Sequence, residues 1–234
     1  GGEAVAGLLM AKELEFLEEA LRLPERPFVA IIGGAKISSK IGVVSALLPR
    51  VDRLLIGGAM ANTFFRAMGL DTGDSLVEED SIEVAAQLLE EGGDRLVLPL
   101  DCIVASEISE TARLRGVERT AVRGEDKILD IGPQTRDLFA DLVTDAKTIV
   151  WNGPMGVFEI DAFAEGTVLI AEAVAAACDG GALGILGGGD SAAAAERADV
   201  VDRLTHVSTG GGASLELLAG ADLPGVHALT DRSA

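Results

Sequence analysis

Short apolar runs alternate with amphipathic stretches along most of the chain. Apolar runs of this length, bounded by glycine or polar residues, are typical of strands buried on both faces of a sheet. They occupy residues 28–32, 54–56, 96–98, 148–150, 182–186 and 204–207. Apolar positions at helical spacing predict helices over residues 39–48, 61–68, 82–91, 134–143, 163–177, 191–198 and 214–218. The alternation predicts an α/β fold: a Rossmann-like three-layer sandwich with a six-stranded, mostly parallel sheet flanked by helices.

Two segments depart from this alternation. An amphipathic stretch opens the chain and is ended by Pro24 and Pro27, which predicts a first helix at about residues 3–23. Residues 102–129 are less regular and are interpreted as a smaller strand excursion or a surface insertion. Because no interdomain linker is visible, residues 1–234 are predicted to form a single domain, a size that one core can fill.

Composition excludes several classes of protein. The 19 Lys and Arg residues face 38 Asp and Glu residues, and the formal net charge is −19, so long-range attraction to nucleic acid or to an anionic membrane is weak or repulsive. No apolar stretch approaches the roughly 18 residues of a membrane span, and no secretory signal is visible. Cys102 and Cys178 show no metal-ligand spacing and are interpreted as free thiols in a reducing compartment. We therefore expect a cytoplasmic protein that binds neither nucleic acid nor membrane.

Glycine-rich segments follow the predicted strands. They are residues 33–36, 57–60, 152–156, 187–191 and 208–212. In a parallel sheet these segments emerge at one edge, the carboxyl ends of the strands, where open α/β folds bind ligands. A single pair of glycines indicates only a tight turn, but several pairs at one edge allow a backbone to approach a ligand closely. Because each segment also leads into a helix, the pattern favours a phosphate-bearing ligand.

The common phosphate-binding fingerprints are absent from the sequence. No G-x-x-x-x-G-K-[ST] motif occurs, which excludes a P-loop enzyme of the usual kind. The first strand is not followed by G-x-G-x-x-G, which counts against a dinucleotide-dependent dehydrogenase. The candidate chemistry therefore depends on the charged residues beside the glycines.

Four charged residues stand at or next to these segments. Lys36 and Lys40 are four residues apart, so a helix starting nearby would place both on one face, where they would suit a polyphosphate. The alternative is a solvated pair of surface lysines. Asp190 either binds Mg²⁺ beside phosphates or caps the following helix. Glu159 either accepts hydrogen bonds from ribose hydroxyls or is an exposed loop carboxylate.

Four motifs, in order, resemble the phosphoglycerate kinase family. They are GGAKISSKI at residues 33–41, WNGPMGVFE at 151–159, GGGDSAAA at 187–194 and STGGGAS at 208–214. The ending LPGV at 223–226 is also similar to the family's C-terminal tail. The resemblance covers nearly the whole chain and is to the C-terminal, nucleotide-binding half of the family.

The resemblance implies phosphoryl transfer between 1,3-bisphosphoglycerate and ADP, with Mg²⁺, to give 3-phosphoglycerate and ATP. In this likeness Lys36 stabilises the transferring phosphoryl group, Gly188 and Gly189 offer it backbone N–H groups, and Asp190 holds Mg²⁺. The nucleotide-binding residues implied are Gly33, Gly34, Ala35, Lys36, Lys40, Gly57, Gly58, Gly132, Asn152, Pro154, Val157, Glu159, Gly187, Gly188, Gly189, Asp190 and Ser191. Among these, Gly132 would lie near the adenine and Ser191 would assist Asp190.

The sequence departs from the family pattern mainly in what it lacks. Nothing corresponds to the N-terminal domain, which in the family holds phosphoglycerate and is joined through the helix at about residues 3–23. Ser39 replaces a usually acidic residue, and Ala59 replaces a usual third glycine. The resemblance implies ADP or ATP and the N-terminal domain as partners, a monomeric parent enzyme, and little or no turnover by this chain alone. The alternatives are a stand-alone nucleotide-binding module and, from the alternating pattern only, an NAD-dependent oxidoreductase.

Overall fold

The computed structural model describes residues 23–208. The strands are β1 (Phe28–Ile32), β2 (Arg53–Ile56), β3 (Leu96–Val97), β4 (Asp101–Ala105), β5 (Arg115–Glu118), β6 (Lys127–Ile131), β7 (Thr148–Asn152), β8 (Leu183–Gly187) and β9 (His206–Ser208). The α-helices are α1 (Ile41–Leu47), α2 (Met60–Ala67), α3 (Ile82–Gly92), α4 (Pro133–Thr144), α5 (Glu165–Asp179) and α6 (Gly189–Arg197). Short 3₁₀ turns cover Glu79–Ser81, Gly93–Arg95, Arg119–Ala121, Asp161–Phe163 and Val201–Arg203.

The main sheet has six strands in the order β3-β2-β1-β7-β8-β9, and every neighbouring pair is parallel. Strands β1 and β7 lie at its centre and are buried along their whole length, as expected for the apolar runs at residues 28–32 and 149–151. The chain winds outward from β1 to one edge and then from β7 to the other. The order therefore reverses between β1 and β7, which is where doubly wound sheets bind ligands.

Helices cover both faces of the main sheet. On one face, residues of α1, α2 and α3 pack with alternate residues of the central strands, and Phe28, Phe64 and Phe65 are the largest side chains there. On the other face, α4, α5 and α6 pack around Trp151 and Phe139. These two apolar clusters and the sheet between them make three layers, so the predicted fold class is confirmed.

A second, three-stranded sheet is inserted between β3 and α4. Its order is β5-β4-β6, and both pairs are antiparallel. Most of β4 and the end of β6 are buried, whereas β5 is largely exposed. The segment interpreted as a strand excursion or surface insertion is thus a separate small sheet, which starts at Asp101 and ends at Ile131.

The boundaries of several elements differ from those predicted. Helix α1 begins at Ile41, two residues later than expected, because Lys40 N–H bonds to Ile37 O at 2.8 Å and Ser39 Oγ bonds to Lys36 O at 2.8 Å in a preceding turn. Helix α5 begins after a 3₁₀ turn, and β9 begins later than the sixth predicted strand. The helix at about residues 3–23 and the one at 214–218 lie outside the described range.

The longest helix within residues 23–208, α5, has 15 residues. Among these residues, no helix is both long enough and apolar enough to cross a membrane.

Candidate functional site

Three loops meet where the strand order reverses. They follow β1, β2 and β7, and backbone hydrogen bonds join them directly. Gly34 N–H donates to Pro154 O at 3.0 Å, Gly58 N–H donates to Met155 O at 2.9 Å, and Met60 N–H donates to Gly34 O at 3.0 Å. The loops therefore form one connected backbone surface at the carboxyl edge of the sheet.

Glycine is required where these backbones cross. A Cβ at Gly33 would overlap the carbonyl oxygen of Pro154, and a Cβ at Gly58 would overlap the backbone of Gly34. Gly58 also has a φ of +67°, in the left-handed region that other residues rarely adopt. At these two positions the glycines allow three loops to pack together.

A cavity of about 260 Å³ opens beside the three loops. Its walls come from both the main sheet and the second sheet. The lining residues are Gly34, Ala35, Gly58, Ala59, Ala61, Phe65, Pro99, Cys102, Ile128, Leu129, Asp130, Ile131, Pro154, Met155, Gly156, Val157, Glu159 and Asp190. One wall is apolar, with Phe65, Leu129 and Ile131, whereas Glu159 and Asp190 have exposed side chains where the cavity meets solvent.

The two lysines lie in a loop and at a helix cap, not on one helical face. Since α1 starts at Ile41, Lys36 belongs to the preceding loop and Lys40 is the N-cap residue. The prediction that one face of a helix carries both lysines is therefore wrong. Lys36 is exposed and Lys40 is half-buried. Burial lowers the pKa of Lys40, and the nearby charge of Asp190 opposes that shift.

The N-terminus of α6 lies at the same edge of the sheet. Gly188 is its N-cap residue, with a φ of +97°, and no side chain caps the helix. Asp190 is the second residue of the helix, so the alternative that Asp190 serves as the N-cap is wrong. The first N–H groups of the helix thus have no side-chain acceptor, and they carry the positive end of its dipole.

Ser191 and Asn152 tie the α6 loop to the end of β7. Ser191 is buried; its Oγ donates to Gly187 O at 3.0 Å and accepts from Gly153 N–H at 2.7 Å. Asn152 Nδ2 donates to Gly187 O at 2.5 Å. Asn152 Oδ1 is buried without a hydrogen-bond partner within the described part of the chain. Because an amide oxygen only accepts, the group that would satisfy Oδ1 must be a donor.

Asp130 is a buried carboxylate beside the cavity that the sequence reasoning missed. It accepts hydrogen bonds from Gly166 N–H at 2.7 Å and Ile131 N–H at 2.9 Å, and it pairs with Arg136 at 3.1 Å. Burial raises the pKa of Asp130 to about 6, because loss of hydration outweighs these partners. Asp130 lies on β6, one residue beyond the less regular segment 102–129. A recognised strand there would have been the only sequence signal for it.

The structure places the predicted site residues in three groups. Those that line the cavity are Gly34, Ala35, Gly58, Pro154, Val157, Glu159 and Asp190. Those that lie beneath or beside it in the same loops are Gly33, Lys36, Lys40, Gly57, Asn152, Gly187, Gly188, Gly189 and Ser191. Gly132 stands apart: it caps α4, its N–H bonds to Asp101 O at 2.9 Å, and it does not line the cavity.

Several lining residues were not predicted. Met155 and Gly156 lie within a quoted motif but were assigned no role, although their position in the motif was a usable signal. The apolar wall formed by α2 and β6 had no signal, because it depends on how the second sheet folds against the first. Within residues 23–208, no group of three or more His, Cys, Asp or Glu side chains could hold a metal ion.

The fold and the site define an α/β protein with a cavity at the switch point of a doubly wound parallel sheet, the place where such sheets bind ligands. The profile of the family described as phosphoglycerate kinase matches residues 2–221. Similar proteins include phosphoglycerate kinase of Chloroflexus aggregans (strain MD-66 / DSM 9485), 56% identical over 231 residues, which are 97% of this chain and 58% of the relative. Phosphoglycerate kinase of Latilactobacillus sakei (strain 23K) is 54% identical over 229 residues, covering 98% and 56%.

Solved structures agree with the sequence comparisons. Phosphoglycerate kinase from Coxiella burnetii superposes with a TM-score of 0.91 at 44% identity, covering 99% of this chain and 60% of that one. The enzyme from Pyrococcus horikoshii OT3 gives 0.81 at 34% identity, covering 95% and 56%. This chain therefore belongs to the phosphoglycerate kinase family. It spans about 58% of the length of the Chloroflexus relative.

Proposed function

We propose that this chain is the nucleotide-binding part of a phosphoglycerate kinase. In this proposal the cavity takes Mg-ADP or Mg-ATP, and the whole enzyme transfers a phosphoryl group between 1,3-bisphosphoglycerate and ADP. The observation that carries the proposal is one continuous cavity that joins an apolar wall to Asp190, in the first turn of an uncapped helix. That combination suits a ligand with an apolar ring at one end and phosphates at the other.

The base and the ribose would occupy the wider part of the cavity. Pro154 and Val157 offer an apolar surface to the ring. Glu159 is exposed at the cavity margin, so its carboxylate can accept hydrogen bonds from two ribose hydroxyls. The backbone of Gly34 and Gly58 forms the floor, where φ angles of +109° and +67° favour glycine. Gly132 does not line the cavity, whose wall ends at Ile131, so it would affect nucleotide binding only by positioning its neighbours.

The phosphates would lie between the loop after β1 and the start of α6. Lys36 is exposed and free to reach a terminal phosphate, whereas Lys40 is half-buried and lies close enough to Asp190 for its pKa to respond to that charge. The N–H groups of Gly188 and Gly189 would stabilise the charge of the transferring phosphoryl group. Asn152 would contribute its second amide proton to a phosphate oxygen, since only one is used by Gly187.

Asp190 is the residue that would hold Mg²⁺. Its carboxylate is exposed and borders the cavity, and its charge partly opposes the lowering of the Lys40 pKa by burial. A single protein carboxylate is enough for this ion, because Mg²⁺ takes most of its ligands from phosphates and water. Bound there, Mg²⁺ would neutralise phosphate charge during transfer. Ser191 would support Asp190 by fixing the first turn of α6, since its hydroxyl is already bonded on both sides.

The phosphoglycerate would be held by an N-terminal domain, as in the family. We expect a cytoplasmic, monomeric parent enzyme, and little or no turnover of 3-phosphoglycerate by this chain alone. A kcat within the usual kinase range of roughly 1–100 s⁻¹ for the isolated chain would contradict that expectation. If adding the N-terminal domain of a relative restores no activity, a stand-alone nucleotide-binding module becomes the better description.

Calorimetric titration of Mg-ADP tests the proposal directly. We expect saturable one-site binding to the wild-type chain, no binding of NADH, and weaker binding when Mg²⁺ is removed. Asp190→Asn should lose most of that Mg²⁺ dependence, while Asp137→Asn, an exposed change on α4 away from the cavity, should leave it intact. Absence of Mg-ADP binding from a folded sample would refute the proposal, and binding of NADH would favour an oxidoreductase.

A further inference from the structure

We propose that Glu78 is a positioning residue for the nucleotide phosphates: it fixes the loop at residues 36–40 in the shape that presents Lys36 and Lys40. The inference rests on the proposed function and deepens it. Glu78 does not line the cavity and belongs to none of the motifs that the sequence singled out. It lies in the connection between α2 and α3, 40 residues along the chain from the loop it contacts.

Both oxygens of the Glu78 carboxylate bind Ser38, which stands between the two lysines. Oε2 accepts Ser38 N–H at 3.0 Å, and Oε1 accepts Ser38 Oγ–H at 2.5 Å. Two parallel hydrogen bonds to one residue fix its orientation as well as its position. Ser38 is therefore held by a distant segment in addition to the chain's own turn, in which Ser39 Oγ bonds to Lys36 O.

Glu78 can act as an anchor because its own position is fixed by α2. Glu78 N–H donates to Thr63 Oγ1 at 3.1 Å. Two residues earlier, Leu76 O accepts from Asn62 Nδ2 at 3.1 Å. Thr63 and Asn62 are almost completely buried. The segment that carries Glu78 is therefore hydrogen-bonded to side chains of the core.

The loop at residues 36–40 needs such an anchor. It is not helical, and Ile37 is its only buried residue. An exposed loop ordered only on ligand binding would lose conformational entropy at that step, and affinity would fall accordingly. A carboxylate that holds the loop beforehand removes part of that cost, which is how a residue outside the cavity can affect binding.

The charge of Glu78 works in the opposite direction. Partial burial raises its pKa, but the hydrogen bonds from Ser38 and the charge of Lys36 outweigh this, and the pKa is lowered overall. The group is therefore an anion at neutral pH, and an anion near Lys36 opposes phosphate binding through space. If Glu78 mainly positions the loop, its removal should weaken nucleotide binding. If it mainly repels phosphate, its removal should strengthen nucleotide binding.

Titration of Mg-ADP into matched variants separates the two effects. We expect Glu78→Ala to weaken binding about 10-fold, and Glu78→Gln, which keeps an acceptor for Ser38, to weaken it only about 3-fold. Glu79→Ala is the control, because it removes the same charge one residue along, where the contact is an exposed pair with Arg66 at 3.4 Å. That variant should bind within about 2-fold of wild type.

AMP provides the readout that a merely structural role would not produce. AMP fills the base and ribose part of the cavity but carries only the α-phosphate, so it lacks the β- and γ-phosphates that Lys36 would meet. We expect Glu78→Ala to leave the affinity for AMP within about 2-fold while weakening Mg-ADP. Amide hydrogen exchange at Ser38 should be faster in this variant, and it reports the loop even without nucleotide.

The possible outcomes are distinct. If wild type binds Mg-ADP and Glu78→Ala binds it equally or more tightly, the inference is overturned and the proposed function stands. If AMP and Mg-ADP weaken together, Glu78 supports the fold in general and the inference is overturned as well. If wild type binds no Mg-ADP, the proposed function fails, and the inference falls with it.

Discussion

At the scale of single residues, Asp130 shows how burial and pairing compete. Its carboxylate has Arg136 and two backbone N–H groups as partners, all of which favour the charged form. Burial disfavours the charged form more strongly, so the pKa rises from 3.8 to about 6. The ion pair between Asp130 and Arg136 is therefore no evidence that the charge of Asp130 stabilises the fold.

The raised pKa predicts a stability change with pH. Between about pH 4 and pH 6 the folded chain binds a proton at Asp130 that the unfolded chain has lost, so the free energy of unfolding falls as pH rises through this window. The full shift corresponds to about 2–3 kcal/mol. Asp130→Asn cannot titrate, so its free energy of unfolding relative to wild type should rise by that amount between pH 4 and pH 6.5.

Urea unfolding at several pH values measures this difference. Asp137→Asn is the control, because Asp137 is exposed on α4 and should give a curve parallel to wild type. A difference between wild type and Asp130→Asn that stays constant with pH would contradict the prediction. NMR titration of the Asp130 carboxyl carbon would then show whether the group ionises earlier than expected.

At the scale of elements, α4 depends on a neighbouring strand for its start. Its N-cap is Gly132, which has no side chain to offer, and Pro133 follows as the first helical residue. Asp101 on β4 supplies the missing acceptor: its carboxylate accepts Gln134 N–H at 3.1 Å and Thr135 N–H at 2.8 Å. A Cβ at Gly132 would overlap that carboxylate, so glycine is needed for this capping from outside the helix.

Removing this cap should destabilise the domain measurably. Asp101→Ala leaves the N–H groups of Gln134 and Thr135 without their acceptor, while the Thr135 hydroxyl keeps only the backbone oxygen of residue 101, and we expect a loss of about 2–3 kcal/mol in the free energy of unfolding. Asp137→Ala, farther along the same helix and exposed, should change it by less than about 0.5 kcal/mol. Equal midpoints of urea unfolding for the two variants would rule out the capping role.

The same element shows what sequence reasoning could and could not predict. Helix α4 and the central strands were located because their apolar pattern is local to each segment. The cap was missed because Asp101 is 31 positions before Gly132, and nothing local links them. The glycine loops were found from sequence, yet the apolar wall of the cavity was not, because Leu129 and Ile131 reach it only through the pairing of β6 with β4.

At the scale of the whole molecule, the sequence determines the net charge but does not predict the order of the strands. The sequence predicted parallel strands but contained no signal for the order β3-β2-β1-β7-β8-β9, which depends on which helices cross which face. The net charge of −19, by contrast, follows from composition alone. A charge this far from zero destabilises a compact chain through self-repulsion, so neutralising any exposed acid should help slightly.

Helix α3 allows this general repulsion to be separated from a local effect. Glu83 lies in its first turn, Glu91 lies at its other end, and no basic residue occupies the last turn. Glu83→Gln and Glu91→Gln relieve the same net charge, but the helix dipole favours Glu83 and disfavours Glu91, by about 0.3–1 kcal/mol each. We expect Glu91→Gln to raise the free energy of unfolding and Glu83→Gln to lower it, with the difference shrinking in about 1 M NaCl as screening increases.

Urea unfolding at low and high salt measures both variants. Equal increases for the two would mean that net charge dominates and the dipole contributes nothing measurable here.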